Sequence, residues 1–456
     1  MPENFGQPGT DTAHIDTHVS RRTVIYSSVV CFLAWAFAVY DYILFGTLLP
    51  EISAEFGWTP ATGTAVVTIV AVGTFFVAIL VGPMLDYFGR KKSLIVCTVG
   101  AGLSSGLTAL TPSGLTTLYL AVVRSIAGLG YSEQAVNTTY LNELYGTQIK
   151  RRGLVYSLVQ GGWPIGVLLA SGVSALLIPL IGWRGAFLFA TVPSIVVIFL
   201  AVRLRESPKY EAMTRVRKLE RRGRRNEARA FGRDYGIDPT NTGESTLRQI
   251  FEPDIRRHTI FLSLAFLTNW IGIQVFAVLG TTVLTEGKGV EFSSALIVLV
   301  ISNAAAYIGY LTHGFLGDLI GRRLTIAGGW TISGIAYTLM LFGPDSGPVV
   351  LTLYTIGLFF IIGPYAALLF FMGESFPTRV RGTGASFVNA MGPLGAITGS
   401  GLLSATLALG LEMTVAAFVV GAISVLVSGI LMLGTRNVTD PNQAETIGGV
   451  VGPRVR

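Results

Sequence analysis

The sequence predicts an all-α membrane protein whose twelve transmembrane helices form two six-helix bundles. Three observations carry that prediction. The 456 residues are 51% hydrophobic and only 13% charged, with a mean hydropathy of +0.60, whereas a soluble domain carries about 25% charge. Apolar runs long enough to cross a bilayer recur along the whole length, without the ~10-residue alternation of outer-membrane barrel strands. A short phrase also occurs twice. GPMLDYFGRKK at 82–92 returns as GFLGDLIGRR at 314–323, so Gly82, Asp86, Gly89 and Arg90 match Gly314, Asp318, Gly321 and Arg322. A repeat of about half the chain length inside a membrane protein implies two related halves with a site between them.

The elements follow in order. Residues 1–22 form a polar tail without the charged-then-apolar order of a cleaved signal. Six spans are predicted at 23–49, 62–85, 93–112, 115–142, 154–181 and 184–203, making an N-terminal bundle over 23–203. A loop at 204–257 carries the stretch EAMTRVRKLERRGRRNEARAFGRDY, charged and helix-favouring, which reads as a solvated or membrane-surface helix. Six more spans, at 258–284, 292–316, 324–343, 348–373, 384–409 and 411–434, make a C-terminal bundle over 258–435. A polar tail over 436–456 follows, and both tails are expected to be disordered.

The net charge of +7 is a topology signal and not a nucleic-acid one. Thirty of the 33 Lys and Arg fall on one side of the twelve-span map, leaving Arg184 and Lys288 opposite and Arg124 within a span. That bias assigns the basic side and both termini to the cytoplasm. Cys31 and Cys97 lie in spans and read as small apolar filler. The sequence has no Walker phosphate loop, no metal-ligand cluster and no nucleophile–base arrangement, so no enzyme, metal or cofactor is expected.

The repeat reaches past its opening phrase. Glu143 precedes KRRG at 150–153 as Glu374 precedes RVRG at 379–382. Gln160, Pro164 and Gly166 then match Asn389, Pro393 and Gly395. A proline within a span removes a backbone hydrogen bond and permits a kink beside a cavity. Over 23–435 this organisation resembles the major facilitator superfamily, whose signature lies in the turn after the second span, with a second copy after the eighth. The resemblance implies a cytoplasmic latch at Asp86, Arg90, Asp318 and Arg322, with Glu143, Arg152, Glu374 and Arg381 as further members. Taken without the resemblance, these are tight turns rich in topogenic charge.

Ionisable residues inside a membrane are costly and are functional candidates by default. Away from helix ends there are three, Asp41, Arg124 and Glu133, all in the first half. Counting from the outer ends of their spans at ~1.5 Å per residue puts Asp41 and Arg124 both ~13 Å deep, level enough to pair. Glu133 is then left without a cation, and a buried lone carboxylate takes up a proton. On a straight helix, nine residues place Arg124 and Glu133 on opposite faces. Gly128 and Gly130 lie between them and permit a bend. Asn137 and Tyr140 share the face of Glu133, which is expected to line the cavity.

YDYILFGTLLP at 40–50, SEQAVNTTYLNE at 132–143 and ESPKY at 206–210 are similar to segments of the metabolite:proton symporter branch and its organic acid, sugar and phosphate relatives. The resemblance implies proton coupling through Asp41, Arg124 and Glu133. The chain departs from that branch at Tyr131-Ser132, where Gly-Gly commonly precedes the acid. Further cavity candidates are Gln160, Trp163, Asn269, Trp270, Gln274, Tyr307, Tyr365 and Asn389, each equally suited to helix–helix packing. The resulting expectation is a monomeric secondary transporter in the bacterial cytoplasmic membrane. It imports a small polar metabolite, an organic acid or zwitterion, with protons. A drug:proton antiporter or facilitator, and a membrane nutrient sensor, stand as alternatives.

Overall fold

A computed structural model describes residues 19–145, 158–234, 246–376 and 381–437. Among these, eight helices are long and apolar enough to cross a membrane alone. The helix over 158–201 among them is two spans, because Gly182 at φ 65° turns the chain back between the fifth and the sixth. The other crossings are Arg90–Ala109, the broken run over 116–145, and Arg381–Ala408. Together these make twelve spans.

The sequence sets the span ends. Ser20 and Thr59 accept from Thr23 N and Thr62 N and so cap the first and second spans. Gly89 and Gly321, matching members of the repeated phrase, end the second and eighth spans at φ 93° and 89°. A side chain is strained in that left-handed region, which gives the repeated glycine its physical reason. The fourth span is three short helices, Thr116–Ile126, Gly128–Tyr131 and Glu133–Tyr145. In the seventh, Arg256–Ile273 continues through two π-helical turns, Gln274–Val278 and Val283–Gly287. Tyr354 donates to the carbonyl of Phe276, a group inside the first of those turns.

The two halves meet at their outer ends, opposite the basic turns. Thr281 of the seventh span donates to Thr47 O of the first at 2.9 Å, and Ser404 of the eleventh donates to Ala61 O of the second at 2.9 Å. A Cβ on Gly46 would collide with the Val278 backbone, so the first and seventh spans touch there only because residue 46 has no side chain. On the same side, Glu55 of the short helix Leu49–Phe56 pairs with Arg184 and accepts from Trp183 Nε1 at 2.6 Å. The Arg184 hydrogen bond holds that carboxyl below the usual range. The buried Lys288 pairs with Asp345 and donates to Gly343 O at 3.0 Å, closing the end of the ninth span.

The central loop forms a helical hairpin, Pro208–Arg221 and Arg225–Asp234, around Val216, Leu219 and Ala228. The expected tails lie outside the described residues over 1–18 and 438–456.

Candidate functional site

Two layers of polar side chains cross the first half. In the outer layer, Arg124 of the fourth span donates to Asp41 of the first, Nη1 to Oδ1 at 3.1 Å and Nη2 to the backbone carbonyl at 2.7 Å. Both are almost fully buried, at 1% and 3% exposure. Ser105 of the third span also donates to the Asp41 carboxylate. The Arg124 guanidinium lies between the rings of Phe45 and Phe187, 5.6 and 5.3 Å from their centroids. A buried pair with added hydrogen bonds and ring faces offsets its desolvation.

The inner layer is Glu133. Its carboxyl is 0% exposed, with the Asn137 side chain beside it and no cation paired to it among the described residues. Its helix, Glu133–Tyr145, packs against the first and the third spans. Arg124 meets those same two spans through Asp41 and Ser104. The run is not the straight helix that would set Arg124 and Glu133 on opposite faces: it breaks at Ala127 and Ser132, on either side of Gly128 and Gly130.

Those breaks also move the cavity face. Asn137 Nδ2 donates to Cys31 O at 3.0 Å and Tyr140 donates to Arg205 O at 2.7 Å, both buried inside the first half. They join spans and do not line the cavity as expected. Gln134 does, and its Nε2 donates to Gln160 Oε1 at 3.1 Å.

The central cavity lies between the halves and is narrow, about 40 Å³. Gln160, Trp163, Trp270, Tyr365 and Asn389 line it, as does Phe266, which the sequence reading passed over. Tyr307 is not among the lining residues. Tyr310, three positions on, takes that place, since helical spacing leaves either tyrosine a candidate. Gln274 lines a separate outer cavity with Arg124 and Tyr42. Asn269 sits behind the wall, its Oδ1 accepting from Tyr365 at 2.7 Å. Trp270 crosses the gap between halves, its ring 5.7 Å from Trp163 and 6.0 Å from Tyr131. Three buried donors here have no acceptor: Gln160 Nε2, Asn269 Nδ2 and Trp270 Nε1. No Lys, Arg or His is among the lining residues.

On the basic side, Arg90 grips Glu143 of the fourth span with two bonds of 2.8 and 2.9 Å. Ser207 donates to the same carboxylate at 2.5 Å, and Glu206 accepts from the backbone N–H of Arg90 at 3.0 Å, at the start of the third span. The Tyr210 ring lies 5.2 Å from the Arg90 guanidinium. The segment ESPKY therefore belongs to this network, although its residues were not singled out for it. In the second copy, Arg322 reaches Asp318 at 3.5 Å and covers Phe370 at 4.8 Å. Arg152 lies outside the described residues, and so do the side chains of Asp86, Glu374 and Arg381.

Twelve spans in two halves around a closed polar-aromatic cavity define a membrane transporter and not an enzyme. The chain belongs to the Major Facilitator Superfamily, whose sequence profile matches residues 30–313. It is 27% identical over 385 residues to the niacin transporter NiaP of Acinetobacter baylyi, covering 80% of this chain and 83% of that one. It is also 27% identical to the gallate transporter of Pseudomonas putida over 84% and 85% of the two chains, and to the benzoate transport protein of Acinetobacter baylyi over 83% and 81%. A solved structure of the E. coli xylose transporter XylE in a partially occluded inward open conformation superposes with a TM-score of 0.65. At 17% identity it covers 90% of this chain and 97% of that one.

Proposed function

We propose that this protein imports a small aromatic or heteroaromatic organic acid together with protons, by alternating access across the bacterial cytoplasmic membrane, with both termini inside. The observation that carries the reading is Glu133, a fully buried carboxyl without a paired cation among the described residues, one residue before the cavity-lining Gln134. A charge there is costly, so the group is stable as the neutral acid. An anionic substrate entering the cavity makes protonation more favourable still, and that coupling is what symport requires. The aromatic walls and unmatched N–H donors support a planar acid as the substrate class. So do the relatives named for niacin, gallate and benzoate transport. Asp41 and Arg124 serve as the second coupling element. Arg90, Glu143, Asp318 and Arg322, with Asp86, Arg152, Glu374 and Arg381, form the cytoplasmic gate.

The test uses purified protein in liposomes with labelled benzoate and niacin. Glu133→Gln should lower uptake driven by an inward proton gradient about tenfold or more, the scale of a typical coupling energy, while leaving counterflow exchange near wild type. Loss of exchange and of substrate binding together would make Glu133 a ligand and remove it as the proton site.

A further inference from the structure

Two cavities lie in series along the seventh span. Its Trp270 and Ile273 line the central cavity, and Gln274, the next residue, lines the outer one with Arg124 and Tyr42. The outer cavity is the smaller, at about 20 Å³ against 40 Å³. Tyr131 of the fourth span stands between them and is among the lining residues of neither. Its ring centroid lies 5.1 Å from that of Tyr42, in the outer lining, and 6.0 Å from that of Trp270, in the central one.

The chain holds that ring in place from behind. Tyr131 ends the four-residue helix Gly128–Tyr131. Its glycines let this helix press on its neighbours. A Cβ on Gly128 would meet the Thr74 backbone of the second span at 2.8 Å, and a Cβ on Gly130 would meet the Ala101 side chain of the third at 2.9 Å. Ser132 closes the turn by donating to Gly128 O at 2.8 Å. With its backbone pinned inside the first half, the Tyr131 side chain reaches the second. A Cβ on Gly392 of the eleventh span would lie 3.3 Å from the Tyr131 hydroxyl oxygen and 3.2 Å from Trp270 Nε1. The lack of a side chain at 392 therefore leaves the ring its space. Tyr42, Tyr131, Trp270 and Trp163 form one run of packed rings from the outer cavity to the central one.

We propose that Tyr131 is the partition between the two cavities and limits the protein to single-ring acids, excluding fused two-ring ones. The limit rests on the aromatic-acid reading given above, whereas the partition does not. Room is the deciding quantity. A cavity that binds benzene measures about 150 Å³, well above either space here. A bound ring is therefore accommodated by side chains that give way. Trp163, Trp270 and Tyr365 are walls of the central cavity alone. The Tyr131 ring has the second cavity behind it, so its position decides whether one space or two is offered to the substrate. A single methylene too many in an apolar pocket already changes discrimination about tenfold or more. 2-Naphthoate carries a whole fused ring beyond benzoate. Tyr131→Ala removes a ring from the partition and joins the two spaces.

Full-length protein in liposomes is given labelled benzoate and labelled 2-naphthoate under an inward proton gradient. Wild type should take up benzoate in strong preference. Tyr131→Ala should raise the ratio of 2-naphthoate to benzoate uptake about tenfold or more. Tyr131→Phe keeps the ring and should keep the wild-type ratio. If Tyr131→Ala does not fold, Tyr131→Leu carries the same comparison, with a ratio between those of wild type and the joined cavity. An unchanged ratio in the folded variant would overturn the limit, as would equal loss of both acids, which is the mark of a merely structural residue. Equal uptake of both acids by wild type would overturn it too. A second measurement needs no substrate. In Tyr42→Cys protein, a bulky naphthyl maleimide and a small methanethiosulfonate need the same opening of the outer ends, so the ratio of their labelling rates reports the room beside residue 42. Adding Tyr131→Ala should raise that ratio severalfold, and an unchanged ratio would overturn the partition. A raised labelling ratio in a protein that imports neither acid would overturn the aromatic-acid reading and keep the partition.

Discussion

Asp41 and Arg124 depend on one another. Each is buried, and each supplies the only counter-charge in the other's layer among the described residues. Asp41→Asn leaves a buried guanidinium uncompensated and should cost about 3 kcal/mol or more, read as a lowered melting temperature. Adding Arg124→Gln should recover part of that loss, since the stranded charge is then gone. A double variant that melts no higher than Asp41→Asn alone would mean the pair is not coupled. At this scale the sequence was partly legible. Counting residues from the span ends brings Asp41 and Arg124 level, because helix rise is nearly constant. The cavity face of the fourth span was not legible. Choosing Asn137 and Tyr140 over Gln134 assumes that an acid faces the cavity, yet Glu133 lies packed between the first and third spans, one residue away from the wall.

Among elements, the first and seventh spans are the pair to perturb. They touch through Gly46 against Val278, reinforced by Thr281 on the carbonyl of Thr47. Gly46→Val inserts a branched side chain into that contact and should separate the outer ends. Tyr42 lines the outer cavity, so Tyr42→Cys should react about fivefold faster with an impermeant thiol reagent in the Gly46→Val background, a shift of about 1 kcal/mol in the closed–open balance. Unchanged labelling would assign the outer closure to other contacts. Apolar run lengths and the basic turns gave the spans in order, because burial of backbone polar groups leaves helices as the solution in lipid. The π-helical turns of the seventh span left no such trace. The first of them is met by Tyr354, which reaches the Phe276 carbonyl from 78 positions further along the chain. The repeated phrase was legible for a local reason, since Gly89 and Gly321 both sit at positive φ. The partners of Arg90 in ESPKY were not, because nothing local records where the end of the sixth span returns.

For the whole molecule, the matched turns describe symmetry, while the charges buried within spans, among the described residues, belong to one half. The first half holds the Asp41–Arg124 pair and Glu133, and the described lining of the second half supplies aromatic rings and amides. On the proposed reading, proton handling belongs to the first half and ring recognition is shared across Trp163 and Trp270.

On the proposed reading, Glu133 as the proton site has an energetic consequence for the cell. One proton carried with each monovalent anion makes the cargo neutral, so a full cycle moves no net charge as long as the Asp41–Arg124 pair exchanges no proton of its own. Membrane voltage then does no work on the cycle. Accumulation is limited by the difference in acidity alone, at about tenfold per pH unit, the worth of 1.36 kcal/mol. In liposomes, a potassium diffusion potential at equal pH should leave benzoate uptake unchanged, while a one-unit pH step should drive it. Voltage-driven accumulation would require a second proton, and Asp41 would be the group to supply it.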